Sequence, residues 1–334
     1  MMTMFIEQEQ RRGESEAVSP PKSVQFLVET GCNLSCTFCD EPSSPLSTLF
    51  SGLPEGESWE DEMVFETKKR RKIADAVTIL DRLKEWGVSQ ITFTGGEPTL
   101  FPNIIILLKE AKARKMRTAL ATNGLSTVFF PRSLTVLEGG FLTSNLLDKI
   151  AESLDILKLS MHGADEETHD RVTNMHGSFA AVVLNLLERQ KYYLKDFETE
   201  VTCVVTRDNL AQLGAIVDIC CALDVNQLTF SQVYPRGRGS NFDKIPLEQI
   251  QRAKKVLETE KSGQLEKAKM KLVMRQAAPS CVLVYPDGEV RVSYYPTKNG
   301  TCRVGNLIIG NIKDAWNTFP LRKEYERSYE KNQV

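Results

Sequence analysis

Three cysteines lie close together near the start of the chain, at Cys32, Cys36 and Cys39 in the stretch CNLSCTFC. The stretch follows an apolar run that alternates like a β-strand, so we expect the three thiols to share the loop at the end of that strand. A loop with this spacing can direct its sulfurs toward a soft metal or an iron–sulfur cluster. The alternative interpretation is a loop of buried cysteines that serve only as small hydrophobic residues.

The number of thiols, three rather than four, limits the kind of metal site. A closed structural zinc site takes four Cys or His ligands, and no Cys or His follows Cys39 within the next hundred residues. A cubane cluster held by three thiolates has one iron without a protein ligand, and such an open iron can bind and activate a small molecule. The cysteine set therefore favours an open iron–sulfur cluster over structural zinc.

This stretch resembles the CxxxCxxC signature of the radical S-adenosylmethionine (SAM) superfamily. A second match is the segment TGGEP at residues 94–98, which follows another strand-like run. The resemblance covers about residues 23–235 and implies a 4Fe–4S cluster on Cys32, Cys36 and Cys39, with SAM chelating the fourth iron. One electron from the cluster would then cleave SAM to methionine and a 5′-deoxyadenosyl radical, which abstracts hydrogen from a substrate.

The resemblance also suggests where SAM binds, although it identifies no catalytic residue. The candidates are Phe38, Gly95, Gly96, Glu97, Asn123 and Ser160. In the family, the GGEP segment holds the methionyl amino group, polar residues at the positions of Asn123 and Ser160 contact the SAM carboxylate or ribose, and Phe38 lies near adenine. The alternatives are a plain strand-to-helix turn for the two glycines, turn and cap chemistry for the polar residues and simple packing for Phe38.

Length and composition limit the class of protein. With 334 residues, 41% hydrophobic residues and a formal net charge of −2, the chain resembles ordinary globular proteins and is long enough for one large domain and a smaller one. No apolar run long enough for a membrane span, no secretory pattern and no dense basic patch is present. We therefore expect a cytoplasmic protein that binds neither membranes nor nucleic acid. Eight cysteines in such a chain favour metal or redox chemistry over disulfides.

Short strands alternate with helical patterns six times in the first two thirds of the chain. The predicted strands cover residues 23–29, 90–94, 116–121, 156–160, 198–205 and 227–233. This alternation is typical of parallel β/α units and predicts an α/β fold, a partial (β/α)6 TIM-like barrel with a small C-terminal α+β extension. Active sites in such folds lie at the C-terminal ends of the strands, where the cysteine loop and the GGEP segment both fall. Residues 40–67, rich in Pro, Ser and Gly, are predicted to be a loop.

We divide the chain into three parts. Residues 1–22 are a flexible lead-in of mixed charge, residues 23–235 are the core barrel, and residues 236–334 are a C-terminal cap. Within the cap, a charged helix over 247–260 should end near Gly263.

The cap resembles the auxiliary-cluster extension, of the SPASM or twitch type, found in radical SAM enzymes similar to molybdenum-cofactor synthase A and the PQQ and peptide maturases. Cys281, a Pro-Asp-Gly turn and the segment CRVGN that begins at Cys302 match that pattern, but Ser293 stands where the family has a middle cysteine. We therefore predict a degenerate cap without its cluster. The alternative is a cluster completed by one of three other cysteines, which are Cys203, Cys220 and Cys221.

The three histidines, His162, His169 and His176, are spaced seven residues apart. This spacing spans a loop and a glycine and does not force the imidazoles together, so a metal site on them is disfavoured. We expect His162 to line the pocket and the His169–Asp170 pair to serve local structure.

The resemblance of the two motifs implies a radical SAM enzyme, and the resemblance of the cap implies that it abstracts hydrogen from a peptide in natural-product or cofactor maturation. It would need an external electron donor of the flavodoxin or ferredoxin type. One alternative is a small-molecule biosynthetic intermediate as the substrate. A second, of a different class, is a non-catalytic iron–sulfur sensor or electron-transfer protein.

Overall fold

Parallel strands and the helices between them make up most of the structure. The computed structural model describes residues 19–39, 44–45, 59–125, 146–191, 197–234, 237–242, 245–275, 281–293 and 301–331. The strands are β1 (Ser23–Glu29), β2 (Gly31–Cys32), β3 (Ser44–Pro45), β4 (Gln90–Gly95), β5 (Arg117–Thr122), β6 (Ile156–Ser160), β7 (Glu198–Val205), β8 (Gln227–Gln232), β9 (Lys271–Arg275), β10 (Val282–Val284), β11 (Glu289–Ser293) and β12 (Thr301–Asn306). The α-helices are α1 (Trp59–Trp86), α2 (Ile104–Ala113), α3 (Leu146–Ile150), α4 (Glu166–Thr173), α5 (Ser178–Lys191), α6 (Leu213–Ala222), α7 (Leu247–Glu260), α8 (Ser262–Ala268), α9 (Ile312–Asn317) and α10 (Arg322–Lys331).

One ten-stranded sheet organises the fold, in the order β12-β11-β10-β1-β4-β5-β6-β7-β8-β9. All neighbouring strands from β10 to β9 run parallel, and only β10–β11 and β11–β12 are antiparallel. The outermost strands β12 and β9 do not pair with each other, so the sheet stays open. The predicted α/β fold with a partial barrel is confirmed.

The strands show why the sheet has one apolar and one polar face. Along β7, burial alternates residue by residue, and Val201, Cys203 and Val205 are fully buried while the residues between them are only half-buried. The buried residues pack with apolar side chains of the helices in one continuous core. Because successive strand residues point to opposite faces, the other face forms the inner wall of the open barrel.

Two boundaries differ from the predictions. Helix α1 begins at Trp59, so the second part of the predicted loop, from residue 59 to 67, is helical. The Pro, Ser and Gly that suggested a loop end before Trp59, and the sequence that follows is rich in Glu and Lys, which favour helix. The charged helix predicted over 247–260 is confirmed as α7 (Leu247–Glu260), but Gly263 lies inside the next helix, α8, instead of in the loop that ends α7.

The predicted cap contributes strands to both edges of the sheet. Strand β9 pairs with β8 at one edge, and β10 pairs with β1 on the other side of the barrel. Trp316 of α9 is buried against Trp86 of α1, with ring centroids 5.7 Å apart. The division at residue 235 stays a prediction, and most of the predicted lead-in, residues 1–18, lies outside the described residues. Across the described ranges, no helix is long and apolar enough to cross a membrane.

Candidate metal centre and cofactor site

The cysteine loop lies at the C-terminal end of β1 and is fixed by hydrogen bonds to distant backbone. Within the loop, the Cys39 amide donates to the carbonyl oxygen of Cys36 at 3.2 Å. The Thr37 amide donates at 2.9 Å to the carbonyl oxygen of Val172, near the end of α4. A second amide of the loop, that of Ser35, donates to the next residue of the same helix. These bonds hold the loop across the end of the open barrel.

Two of the three thiols, those of Cys32 and Cys36, lie in a setting that keeps them neutral until a metal arrives. Burial raises the pKa of the Cys32 thiol to about 11, and nearby Glu97 and Cys39 raise it further. Burial raises the pKa of the Cys36 thiol to about 12, with Cys32 and Cys39 adding to the effect. The three sulfurs are therefore within electrostatic reach of one another. A metal cation reverses this balance because it stabilises the thiolate, so the donor set fits a thiolate-held metal group.

The spacing of the donors distinguishes between kinds of metal group. Among the described residues, no three His, Cys, Asp or Glu side chains converge where a single metal ion could sit. A cubane cluster is larger than one ion, and its thiolates bind separate irons, so they need not meet at a point. The number of thiols, three rather than the four ligands of a closed structural zinc site, suits a cluster with one open iron better than tetrahedral zinc.

Gly95 and Gly96 are needed because two backbone segments meet there. Gly95 has φ +140°, and a Cβ on it would lie 2.0 Å from the carbonyl oxygen of Glu29. A Cβ on Gly96 would lie 2.2 Å from the carbonyl oxygen of Gly31, just before the first cysteine. Only glycine fits either position, which brings the end of β4 against the start of the cysteine loop. A contact of these glycines with SAM stays a prediction.

The carboxylate of Glu97 is buried and joins the ends of two strands. One oxygen accepts from the Thr99 amide at 3.0 Å and from the Thr122 hydroxyl at 2.7 Å, and the other accepts from the Asn123 amide at 2.9 Å. The Thr99 hydroxyl donates as well, at 2.5 Å. Burial raises the pKa of Glu97, while these hydrogen bonds oppose the rise. The side chain thus links β4 to β5, a role that the sequence did not suggest.

Asn123 connects the end of β5 to the cysteine loop. Its side-chain amide donates to the side-chain oxygen of Asn33 at 2.7 Å and approaches the Cys32 sulfur at 3.9 Å. The structure thus brings Cys32, Glu97 and Asn123 to one place. Ser160 lies further along the same edge, half-buried at the end of β6.

Phe38 packs edge-on against His162, with ring centroids 4.7 Å apart. The Nδ1 atom of His162 accepts from the Val204 amide at 3.2 Å, and that of His169 accepts from the His162 amide at 3.0 Å. Burial lowers the pKa of His162, and it lowers that of His169 to about 4, so both rings are neutral. The contact of His169 with the backbone agrees with the structural role expected for it, whereas the pocket-lining role of His162 stays a prediction.

Arg238 is a contributor to the site that the sequence reasoning missed. Its guanidinium Nε donates to the carbonyl oxygen of Cys36 at 2.7 Å, and its backbone amide donates to that of Cys39 at 2.9 Å. The Arg-Gly-Arg-Gly run after β8 was visible as a change of pattern. Nothing in it indicates a partner two hundred residues earlier.

One of the two cap cysteines lies beside a serine. The Cys281 sulfur is 3.2 Å from the Ser293 hydroxyl, and Cys302 lies on β12 opposite Val292. The three other cysteines considered as possible ligands are buried in or near the core, on β7 and α6. Four strands, β1 and β4 to β6, separate β7 from β10 in the sheet, so their placement does not favour a shared cluster.

Comparison with known protein families matches more than half of this chain. A family model described as Radical SAM superfamily matches residues 27–220, more than half of the chain.

Several curated proteins are similar to the same region. An AdoMet-dependent heme synthase from Methanosarcina barkeri is 24% identical over 226 residues, which cover 67% of this chain and 54% of that protein. An S-adenosylmethionine-dependent nucleotide dehydratase from Flammeovirga pacifica is 30% identical over 190 residues, 56% of this chain and 55% of that protein. A PqqA peptide cyclase from Bradyrhizobium diazoefficiens is 26% identical over 227 residues, 67% of this chain and 50% of that protein. The chain thus spans about half the length of these relatives.

Solved structures share the fold. Streptococcus suis SuiB bound to S-adenosylmethionine superposes with a TM-score of 0.66 and 13% identity, covering 98% of this chain and 72% of that chain. At this identity the similarity concerns the fold alone, and it includes nearly the whole chain.

Proposed function

The chain belongs to the radical SAM superfamily, whose cofactors are SAM and a 4Fe–4S cluster, and we propose that Cys32, Cys36 and Cys39 are the ligands of that cluster. When bound, the cluster and SAM together supply a one-electron cleavage of SAM that begins hydrogen abstraction from a substrate. The protein's task is to hold the three thiolates, to orient SAM and to keep water and oxidants away from the reacting atoms.

In this proposal, residues at the strand ends orient SAM. The backbone at Gly95 and Gly96 meets the methionyl group, Asn123 and Ser160 offer polar contacts to its carboxylate or ribose, and Phe38 lies beside adenine. Glu97 contributes mainly by fixing the ends of β4 and β5, as its four hydrogen bonds indicate. Its negative charge adds attraction for the ammonium of SAM.

The substrate that we propose is a peptide undergoing natural-product or cofactor maturation. The relative named as a peptide cyclase and the cap pattern around Cys281 and Cys302 support this assignment. The relatives named as a heme synthase and a nucleotide dehydratase support the second candidate, a small biosynthetic intermediate. Residues 236–334 would serve as a cap without a cluster of its own, since Ser293 occupies the place beside Cys281.

We further propose that the electron comes from an external donor of the flavodoxin or ferredoxin type. The three cysteines are partly exposed, which supports electron entry through the cysteine loop. None of the eight cysteines forms a disulfide, which supports a reducing location such as the cytoplasm.

The observation that carries the proposal is the meeting of Cys32, Glu97 and Asn123 at one end of the barrel. An iron–sulfur sensor or electron-transfer protein needs the cysteines, but it does not need the ends of β4 and β5 to lie against them. We therefore favour an enzyme over a non-catalytic protein.

Metal analysis and SAM turnover test the proposal together. Anaerobically reconstituted protein should contain about four irons and four sulfides per chain, the content of one cubane. The triple change of Cys32, Cys36 and Cys39 to Ala should remove them, whereas the control Cys281→Ala/Cys302→Ala should keep them. With dithionite and SAM, the wild type should form 5′-deoxyadenosine even without substrate. A cluster that survives the triple change, or a wild type that never cleaves SAM, would refute the proposal.

A further inference from the structure

The inner wall of the open barrel carries charges that the cofactor site does not use. Pairing places Lys158 of β6 directly beside Glu200 of β7, and Glu200 beside Gln227 of β8. Lys158 lies two residues before Ser160 on the same face, so it is roughly 7 Å deeper in the barrel than the proposed SAM contact. We call this region, defined by Lys158, Glu200 and Arg275, the inner basic site.

Lys158 and Glu200 form an ion pair that is largely withdrawn from water. Their side chains are 20% and 15% exposed. Burial lowers the pKa of Lys158, and the adjacent Glu200 opposes that change. Such a pair is costly to bury and is close to neutral as a unit.

Further cations surround this pair. Arg275, at the end of β9, and Arg117, at the start of β5, both lie near enough to lower the pKa of Lys158. Arg117 has its own partner, Glu198, at 2.8 Å. Within the ranges that the structure describes, no carboxylate pairs with Arg275. Counted over the described residues that define it, two cations (Lys158 and Arg275) and one carboxylate (Glu200), the inner basic site has one positive charge in excess.

Hydroxyl groups line the same wall beside the surplus charge. Ser231 of β8 is directly opposite Arg275 in the sheet and is 3% exposed. Thr202 of β7 is directly opposite Ser160. Carboxylates and phosphates accept hydrogen bonds from hydroxyl groups and from the guanidinium group of arginine, so this combination can bind either anion.

We propose that the inner basic site binds an anionic group of the substrate, a carboxylate or a phosphate, with Arg275 as the main contact and the Lys158–Glu200 pair fixing the positive surroundings. The proposal rests on the proposed function, because it concerns the substrate of that site. An anion here neutralises a charge that has no carboxylate partner among the described residues, on the same face of the sheet as the proposed SAM contact Ser160. The barrel interior would thus select acidic or phosphorylated substrates over neutral ones.

Binding measurements on the reconstituted 334-residue chain with SAM test this inference. The probes are inorganic pyrophosphate and a capped tetraglutamate peptide, with capped tetraglutamine as the neutral comparison. Isothermal calorimetry should detect at least one of the two anions and no binding of tetraglutamine. Arg275→Gln should weaken that binding by roughly tenfold to a hundredfold, the range for losing a hydrogen bond to a charged group. Arg82→Gln, the same change on the outer surface of α1, should leave it unchanged.

The binding results identify the kind of anion or refute the inference. Binding of tetraglutamate alone identifies a carboxylate, and binding of pyrophosphate alone identifies a phosphate. If neither anion binds the wild type, or if Arg275→Gln and Arg82→Gln bind alike, the inference is wrong. Arg275→Lys, which keeps the charge, should weaken binding less than Arg275→Gln, and it decides the question if the glutamine variant does not fold. A wild type with a cluster but no anion binding refutes only this inference, whereas a wild type without a cluster refutes the proposed function.

Discussion

Replacing Glu97 distinguishes a structural role of its carboxylate from a role confined to SAM. The side chain is 1% exposed and accepts hydrogen bonds from two backbone amides, those of Thr99 and Asn123, as well as from two hydroxyls. Glu97→Ala leaves those amides buried without their acceptor, at about 1–3 kcal/mol for each, and therefore roughly 2–6 kcal/mol in total. The two hydroxyls can rotate toward other acceptors and add little.

Glu97→Gln should lie between the wild type and the alanine variant. One oxygen remains for Thr99 and Thr122, but the amide nitrogen now faces the Asn123 amide, so one buried donor loses its acceptor at a cost of about 1–3 kcal/mol. Glu85→Gln is the matched control, because that side chain is 60% exposed and its change should stay within about 0.5 kcal/mol.

Urea unfolding of the metal-free proteins measures these differences without any cofactor. The expected order of stability is wild type and Glu85→Gln together, then Glu97→Gln, then Glu97→Ala. SAM binding of the reconstituted variants, measured by equilibrium dialysis, should weaken in the same order. If Glu97→Ala unfolds like the wild type while losing SAM, the carboxylate serves only the ligand and the reasoning from its hydrogen bonds is refuted.

Three further predictions concern other residues. Arg238→Ala removes a cation and a hydrogen bond from the cysteine loop, so the cluster should lose iron faster and take a more negative reduction potential than in Arg82→Ala; equal values in redox titration would contradict this. The pKa of His169 is lowered to about 4 in the folded state, so the unfolded chain binds more protons between about pH 4 and 6.5. Unfolding of the metal-free protein should therefore show stability that is full above pH 6.5 and lost as the pH falls to about 4, with a flatter profile for His169→Gln; parallel profiles would show that another group is responsible. Cys281→Ser places a hydroxyl beside Ser293 and should be about as stable in thermal melts as Cys281→Ala, with iron content unchanged; loss of iron in either variant would indicate that Cys281 is a ligand.

The parallel sheet could be predicted because its signals are local. The alternation along β7 and the apolar runs of β1 and β4 lie within single segments, and each gave a strand within a residue or two of the observed bounds. The placement of β9 and β10 at different parts of the sheet could not be predicted, since it depends on pairing between segments far apart in the chain. The start of α1 at Trp59 was missed because the Pro, Ser and Gly before it indicate a loop more clearly than the Glu and Lys after it indicate a helix.

In the candidate site, too, the residues that could be predicted are those with a local sequence signal. The three cysteines were visible because their spacing within one loop carries the chemistry, and GGEP was visible as a short motif. The contacts of Glu97 with Thr122 and of Arg238 with Cys36 were not, because each joins residues that only the fold brings together. Gly95 was predicted to allow close approach, but the group that approaches it in the structure is the Glu29 carbonyl.

Residues that only the fold brings together also bear on substrate specificity. The residues that we propose for the cluster and SAM lie in loops at strand ends, where short motifs indicate them. Lys158 and Glu200 lie within strands, and in sequence such charges are indistinguishable from those of a solvent-facing surface. They become half-buried only because the parallel sheet curves and turns its polar face inward. If the substrate binds against this wall, as we propose, its identity depends on residues that no short motif indicates. Similar chains named as a heme synthase, a nucleotide dehydratase and a peptide cyclase agree with this, because one fold can carry different specificities.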